Sequence, residues 1–243
     1  MTNPPDSYIV KFLRSEELTP DTFSFYFLKP SGFQFEPGQY NRWRINIENP
    51  DERGSSRPLT IATSPLSDYL IITTKKGETS FKKKLFSLKI NEEISFFGPL
   101  GNFTLNEEDT RPKVFLAGGI GITSFYSMLN FVYQKKLKNN ITLLASFSNK
   151  SETIYFDELT NISKVLPNIK IIYTLTKDPS TSSGQEGFEN GRISEEMIKK
   201  YADSEESFFY VVGPSAMVEA MEGMLLLAGI PEERIKIENF TGY

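Results

Sequence analysis

Apolar and polar positions along the chain follow two different rhythms. Up to about residue 105, short runs rich in β-branched and aromatic residues recur between turn signals, which is how half-buried strands read. These runs are Tyr8–Leu13, Thr22–Leu28, Tyr40–Ile47, Leu59–Ala62, Tyr69–Thr74 and Glu93–Phe97. Between them stand Lys29-Pro30-Ser31-Gly32, Glu36-Pro37-Gly38 and Asn49-Pro50-Asp51, whose residues favour turns. Many short strands joined by tight turns predict a small antiparallel β-barrel. Ser80–Leu88 breaks the pattern: Phe81, Leu85 and Leu88 fall at i, i+4 and i+7, the spacing of a short helix.

Asn106–Lys113 is polar and carries an Arg-Pro pair, and the domain boundary is expected there, dividing the chain into 1–108 and 109–243. Beyond it, strands and helices alternate. Val114–Ala117, Ile141–Phe147, Ile169–Leu175 and Phe208–Val212 read as strands. Helices are predicted from Thr123 to Lys136 and over Phe156–Val165, Ser194–Tyr201 and Ala216–Ala228, with Ser180–Asn190 as a loop. Such alternation needs crossover connections, so this half is predicted to be an α/β domain with a parallel sheet.

Composition narrows the chemistry. The 243 residues suffice for two domains, and 39% apolar with 13% aromatic residues can fill their cores. Lys+Arg total 27 against 31 Asp+Glu, and a net charge of −4 argues against a nucleic-acid partner. There is no cysteine and no histidine. Disulfides, thiolate zinc sites, iron–sulfur clusters, cysteine nucleophiles, His-ligated haem and Ser-His-Asp triads are therefore excluded within this chain. No metal is called for, and redox chemistry would need an organic cofactor. No run is apolar enough to span a membrane, and the N-terminus lacks the features of a signal peptide, so a cytoplasmic location is expected.

Five stretches carry candidate chemistry. Val114–Thr123 runs from an apolar strand through Gly118, Gly119 and Gly121 into a helix, with Thr123 as its expected N-cap. Such a turn serves either a pyrophosphate at the helix N-terminus or simply a tight connection. Phe208–Met217 repeats the strand–turn–helix pattern with Gly213-Pro214. Arg57-Pro58-Leu59-Thr60, after Pro37–Tyr40, offers a guanidinium fork for a phosphate and a hydroxyl nearby. Gly77–Ser80 precedes the short helix, whose first amides could hold a second phosphate. Gly98–Phe103 contributes a Gly-Pro turn.

The order of these motifs is more specific than any one of them. R-x-x-T, G-x-x-S, G-P-x-G-x-F, A-G-G-x-G-I-T, V-G-P-x-x-M and a terminal E-x-F-x-G-Y resemble the ferredoxin–NADP reductase superfamily over essentially the whole chain. The resemblance implies a flavin-binding antiparallel barrel, a nicotinamide-nucleotide domain, and a flavin between them that takes a hydride and releases single electrons. It implies FAD together with NADPH or NADH. By that resemblance Arg57 pairs with the flavin phosphates, Thr60 lies near flavin N5, and Gly77, Thr79 and Ser80 hold the pyrophosphate region. Tyr40, Pro58 and Leu59 fall in the same flavin motifs. Gly118, Gly119, Gly121, Ile122 and Thr123 would cradle the dinucleotide, with Gly213, Pro214 and Met217 on its nicotinamide side. Glu238 and Phe240 resemble the family's terminal acid and aromatic, and with Thr60 form the implied catalytic group. Tyr243 is a rival to Phe240 as the aromatic covering the flavin.

Three departures stand out. Leu59 replaces an aromatic, so flavin stacking would fall to Tyr40 or Trp43; Val212 replaces a cysteine; Ser124 stands where proline commonly follows the glycines. Ser148, Lys150 and Lys177 lie in the loops where the family reads a 2′-phosphate, which tips the expectation toward NADPH. The acceptor is expected to be a separate one-electron protein such as ferredoxin or flavodoxin. Lys75, Lys76, Lys82, Lys83, Lys84 and Lys89 face only Glu78 in their own stretch, which is either a docking patch for an acidic protein or a solvated helix face. The alternatives are reduction of small acceptors (free flavin, quinone, ferric chelate) and a flavin-binding subunit that does not turn over.

Overall fold

The computed structural model describes residues 7–177, 188–203 and 206–240. It divides into two compact units, Met1–Leu105 and Asn106–Tyr243. This cut lies just ahead of the expected 108/109. Leu105 is buried and donates its N–H to Pro37 O, so it belongs to the first unit. Glu107 pairs with Lys135 at 2.7 Å, which ties the following residues to the second.

The first unit is one antiparallel sheet of six strands in the order β4-β3-β6-β1-β2-β5. They are β1 (Ser7–Thr19), β2 (Thr22–Leu28), β3 (Tyr40–Arg44), β4 (Ser56–Thr60), β5 (Tyr69–Lys75) and β6 (Glu93–Leu100). Just past β4, the Ala62 N–H donates to Ile71 O in β5, so the two ends of the sheet meet in a barrel-like curl. Trp43, Phe27, Phe33 and Phe96 are essentially sealed within it. The Trp43 ring lies 4.9 Å from both Phe27 and Phe96, and the helix α1 (Ser80–Phe86) adds Phe81 and Leu85 to the core.

Several strand limits differ from the sequence expectation because pairing overrides local composition. β1 runs on past Leu13 because Arg14–Glu17 pair with β2. β3 stops at Arg44 rather than Ile47, and β4 begins at Ser56 rather than Leu59 because Arg57 pairs with Trp43. Arg57 thus stands inside a strand, not ahead of one.

The second unit is a parallel sheet in the order β10-β9-β8-β7-β11-β12. Its strands are β7 (Lys113–Gly118), β8 (Ile141–Phe147), β9 (Ile169–Leu175), β10 (Phe188–Asn190), β11 (Phe208–Pro214) and β12 (Ile235–Phe240). Its helices are α2 (Ile122–Lys135), α3 (Phe156–Val165), α4 (Glu195–Tyr201) and α5 (Ser215–Leu227). β10 corrects part of the loop expected over Ser180–Asn190, and residues 178–187 lie outside the described ones. β12 was not anticipated as a strand; it forms because Ile235–Phe240 finds an edge on β11 from Phe209 to Pro214. One face of the sheet packs Val114, Leu116, Phe209 and Val211 against Val218, Met221 and Leu225 of α5. On the other face Phe115 stacks on Phe125 of α2 at 4.3 Å and meets Tyr210 edge-on at 5.2 Å.

Phe115 and Phe125 are both sealed from solvent. Phe115→Ala would remove the ring between sheet and α2, and a loss of about 3–5 kcal/mol is expected for such a truncation. Urea unfolding followed by circular dichroism checks it; a loss below about 1 kcal/mol would mean the site collapses around the gap.

Candidate functional site

In the second unit, β7 is followed by β8, β9 and β10 on one side, while β11 and β12 lie on the other. The order therefore reverses between β7 and β11, and parallel sheets bind ligands at the carboxyl ends of the strands beside such a reversal. The Gly118–Gly121 turn lies there. A Cβ on Gly118 would stand 2.3 Å from Met217 Sδ, and one on Gly121 would stand 2.7 Å from Val212 O. Gly121 is thus required by the packing of α2 on β11, whereas the contact at Gly118 is with the end of a flexible methionine side chain. Gly119 differs: its φ is +51° and a Cβ there would meet nothing within 4 Å. Of the three expected cradle glycines, it alone combines a left-handed backbone with open space.

The neighbouring expectations need correction. Thr123 is not the N-cap of α2; it lies in the first turn, is buried, and donates its hydroxyl to Ile120 O at 2.9 Å. Ile122 is fully buried. The side chains of both serve packing, so only their backbone could face a ligand. Met217 fills the hollow left by Gly118 and Gly213, while Pro214 is exposed at the start of α5.

Glu238 stands opposite Val212 in the β11–β12 ladder, at the carboxyl end of the sheet. The Ser124 hydroxyl, itself sealed, donates to Glu238 Oε2 at 3.2 Å. Burial pushes the Glu238 carboxyl up to about 7, and the Ser124 hydrogen bond opposes that rise. Phe240 is partly buried two positions along, and Tyr243 lies outside the described residues. In the loops beyond β8 and β9, Lys177 N–H donates to Ser148 O at 2.9 Å, and Lys150 Nζ lies 5.5 Å from the centre of the Phe188 ring.

In the first unit, Arg57 Nη1 donates to the carbonyls of Arg53, Gly54 and Ser56 at 2.7, 3.1 and 2.7 Å. Its Nη2 is sealed and makes no hydrogen bond. The nearest carboxylate is Asp51, whose Oδ1 is 3.8 Å away. Asp51 Oδ2 accepts the Ser80 N–H at 2.6 Å, and the Asp51 N–H donates back to Ser80 Oγ at 3.0 Å. Thr79 is the N-cap of α1, accepting from Lys82 N–H at 3.3 Å. The Lys82 stem folds over Gly77, and burial together with Arg53 and Arg57 pulls the Lys82 ammonium below its usual range. Asp51 Oδ1 also accepts the Arg53 N–H at 3.0 Å, so the carboxylate bridges its own loop and the start of α1. Sequence reasoning read Asp51 only as a turn residue; no signal in the chain points to its contact with Ser80, which is 29 positions away.

Thr60 is buried, yet its hydroxyl is not sealed and bonds to no described residue. Pro58 is exposed and Leu59 belongs to the barrel core. Tyr40 lies against Gly101, where a Cβ would stand 3.0 Å from its ring. Trp43, expected as a possible stacking surface, is sealed in the core and is ruled out for that role.

Folding gives the lysine run partners from outside its own stretch. Lys75 pairs with Asp21 at 3.2 Å, Lys83 with Glu78 at 3.0 Å and Lys84 with Glu92 at 2.5 Å. Asp21 and Glu92 come from outside the stretch, so its local charge is lower than its own sequence suggests. No helix among the described residues is long and apolar enough to cross a membrane.

Residues 115–223 match the oxidoreductase NAD-binding domain family. The reductase component of propane 2-monooxygenase from Rhodococcus jostii is 25% identical over 232 residues, covering 94% of this chain and 62% of that protein. A flavohemoprotein of Halalkalibacterium halodurans is 25% identical over 248 residues, covering 96% of this chain and 59% of that protein. The chain thus spans about three-fifths of the curated relatives it matches. A ferredoxin NADP+ reductase from Neisseria gonorrhoeae, solved with FAD and NADP bound, shares the two-unit fold: TM-score 0.80, 19% identity, 96% of this chain and 98% of that one.

Two tests follow from the geometry. Gly119→Ala should fold with a loss of about 1–2 kcal/mol from its left-handed backbone, whereas Gly121→Ala should lose more, because its Cβ meets backbone. Thermal melts of the two variants check this, and equal losses would contradict it. Glu238 is shifted upward from an ordinary 4.5 to about 7, so the folded state holds its proton more tightly than the unfolded state. Its contribution to stability is full below about 4.5 and is lost as pH rises through 7. Glu238→Gln should flatten that decline between pH 4.5 and 7, measured by urea midpoints across the range.

Proposed function

Starting from an oxidoreductase NAD-binding domain over residues 115–223 in a chain with the fold of ferredoxin–NADP reductases, we propose an FAD-dependent NAD(P)H oxidoreductase that passes electrons to a separate acceptor protein. The domains of that reading are a flavin-binding barrel up to about residue 105 and a nucleotide-binding α/β unit after it. The observation that carries the flavin half is Arg57: a sealed guanidinium nitrogen without a hydrogen bond, beside an N–H already turned toward an anion. A buried, unsatisfied donor of this kind is costly, and a phosphate is the group that a guanidinium fork meets best. These residues fit a flavin phosphate.

When both cofactors are bound, they supply hydride transfer from nicotinamide to flavin and stepwise release of electrons. The protein's residues bind and orient. Arg57 and Ser80 hold the phosphate, Thr60 offers an uncommitted hydroxyl to the ring edge, and Tyr40 offers an aromatic surface. Gly119 lets the dinucleotide approach the backbone at the sheet reversal. Glu238 keeps a proton up to about pH 7 at the carboxyl end of β11. Lys150 and Lys177 favour NADPH over NADH, as cations near a 2′-phosphate. The absence of cysteine suits a reducing compartment, and we assign the protein to the cytoplasm.

A second reading is favoured by the lysine run. Because Asp21, Glu78 and Glu92 offset its charge, steering of an acidic protein is weakened, and small acceptors such as quinone or ferric chelate become the competing substrate class. Reduction rates measured across salt concentrations separate the two, since only a steered protein acceptor slows markedly as salt rises.

The purified protein should show a flavin spectrum that NADPH bleaches anaerobically, with NADH slower. Arg57→Ala should weaken FAD binding by about tenfold or more, as loss of a charge-assisted contact does. Unchanged flavin content in that variant would remove the phosphate assignment, and a protein that takes up no FAD would remove the flavin reading.

A further inference from the structure

The anion that Arg57 and Ser80 face is part of the protein itself. Asp51 lies in the segment between β3 and β4, and its carboxylate takes the Ser80 N–H at 2.6 Å while stopping 3.8 Å short of Arg57 Nη2. That second distance is too long for a hydrogen bond, which is why Nη2 is left unsatisfied. One carboxylate cannot reach both donors; a tetrahedral phosphate, with oxygens directed several ways, is a larger group that can. The carboxyl is held below its usual range, chiefly by the Ser80 N–H, so it stays anionic at neutral pH. Burial, and then the neighbouring Arg53, pull the Arg57 guanidinium below its usual range, and Asp51 opposes that fall. Asp51 is thus the carboxylate that acts on Arg57, and the attraction falls short of a hydrogen bond.

We propose that Asp51 is an internal substitute for the flavin phosphate, holding Arg57 and the start of α1 in the flavin-free protein and displaced when the cofactor loads. This rests on the flavin reading of Arg57 and Ser80 and adds the residue that competes for the same donors. A hydrogen-bond donor held at 2.6 Å by one acceptor is not free for another. Loading therefore exchanges the Asp51 carboxylate for a phosphate oxygen, with no bond made or broken covalently. Asp51 moves outward with its neighbours on a segment that is itself exposed at Glu52 and Arg53. Asp51 sets how tightly and how fast the flavin is taken up.

The test is equilibrium and stopped-flow binding of FAD to the full chain freed of flavin, read by quenching of flavin fluorescence, for the wild type, Asp51→Asn and Asp51→Ala. Inorganic pyrophosphate is used as a second probe, scored by its competition with FAD and by calorimetry. Removing the internal anion is expected to tighten FAD and pyrophosphate by about tenfold and to speed association. Circular dichroism melts establish that each variant folds; Asp51→Asn keeps the shape of the side chain where Asp51→Ala destabilises the loop. Equal or weaker binding of both probes in folded variants would overturn the proposal, because Asp51 would then be a support for the site and not a competitor. Pyrophosphate tightened by the substitutions, with no FAD bound by any form, would sustain the internal anion and overturn the flavin reading instead. Binding of neither probe by any form would overturn both.

Discussion

Between β7 and β11 the turn after Gly118 runs so close to the neighbouring strand that a Cβ on Gly121 would stand 2.7 Å from Val212 O. The arrangement of the second unit depends on that approach. It lets α2 start directly behind the end of β7 and brings Ser124, in its first turn, within hydrogen-bond reach of Glu238 on β12. It also leaves Met217 of α5 as the filler over Gly118 and Gly213. The glycines are therefore first a packing device. Gly119 is the exception: its backbone is left-handed, and a Cβ there would meet nothing within 4 Å. The same close approach that packs the unit places this turn at the carboxyl ends of the strands beside the reversal in their order, where parallel sheets bind ligands.

The first unit solves a different problem. Its barrel core is aromatic, with Phe27 against Trp43, Trp43 against Phe96 and Phe96 against Phe33, all sealed from solvent. Chemistry is displaced to the rim, where β4 and α1 begin. Arg57 is held there by three carbonyls through one nitrogen while the other is left unsatisfied. Native proteins rarely leave a buried donor unmade, and this nitrogen is the observation on which the phosphate proposal rests. Asp51 is the incomplete partner the chain supplies for itself.

Much of the fold was legible in the chain. Thr22–Leu28, Ile141–Phe147, Phe156–Val165 and Ile169–Leu175 form elements with the limits their periodicity predicts, since each has its own apolar face and clear flanking breaks. The ordered glycine, arginine and hydroxyl motifs pointed to the residues now seen at the sheet reversal and at the barrel rim. What failed to read was whatever depends on a distant partner. β12 carries alternating polar residues and becomes a strand through the edge β11 offers; β4 extends back over Arg57 because β3 lies beside it. Ile122 and Thr123 sit in a nucleotide motif, yet their side chains are sealed by neighbours that no local pattern names.

Composition and periodicity determined by themselves the two-part organisation, the parallel character of the second sheet and the exclusion of thiol chemistry, imidazole chemistry and His-ligated haem within this chain, because each follows from residue type or local spacing. Tertiary structure alone decided which charges are balanced and which donors are left over. The lysine run is offset by Asp21 and Glu92 from elsewhere in the barrel, and the Arg57 site is half filled by Asp51. Electrostatics acts through space, so a charge's meaning is fixed by what folding brings within a few ångströms of it, and that distance is not written in the order of the residues.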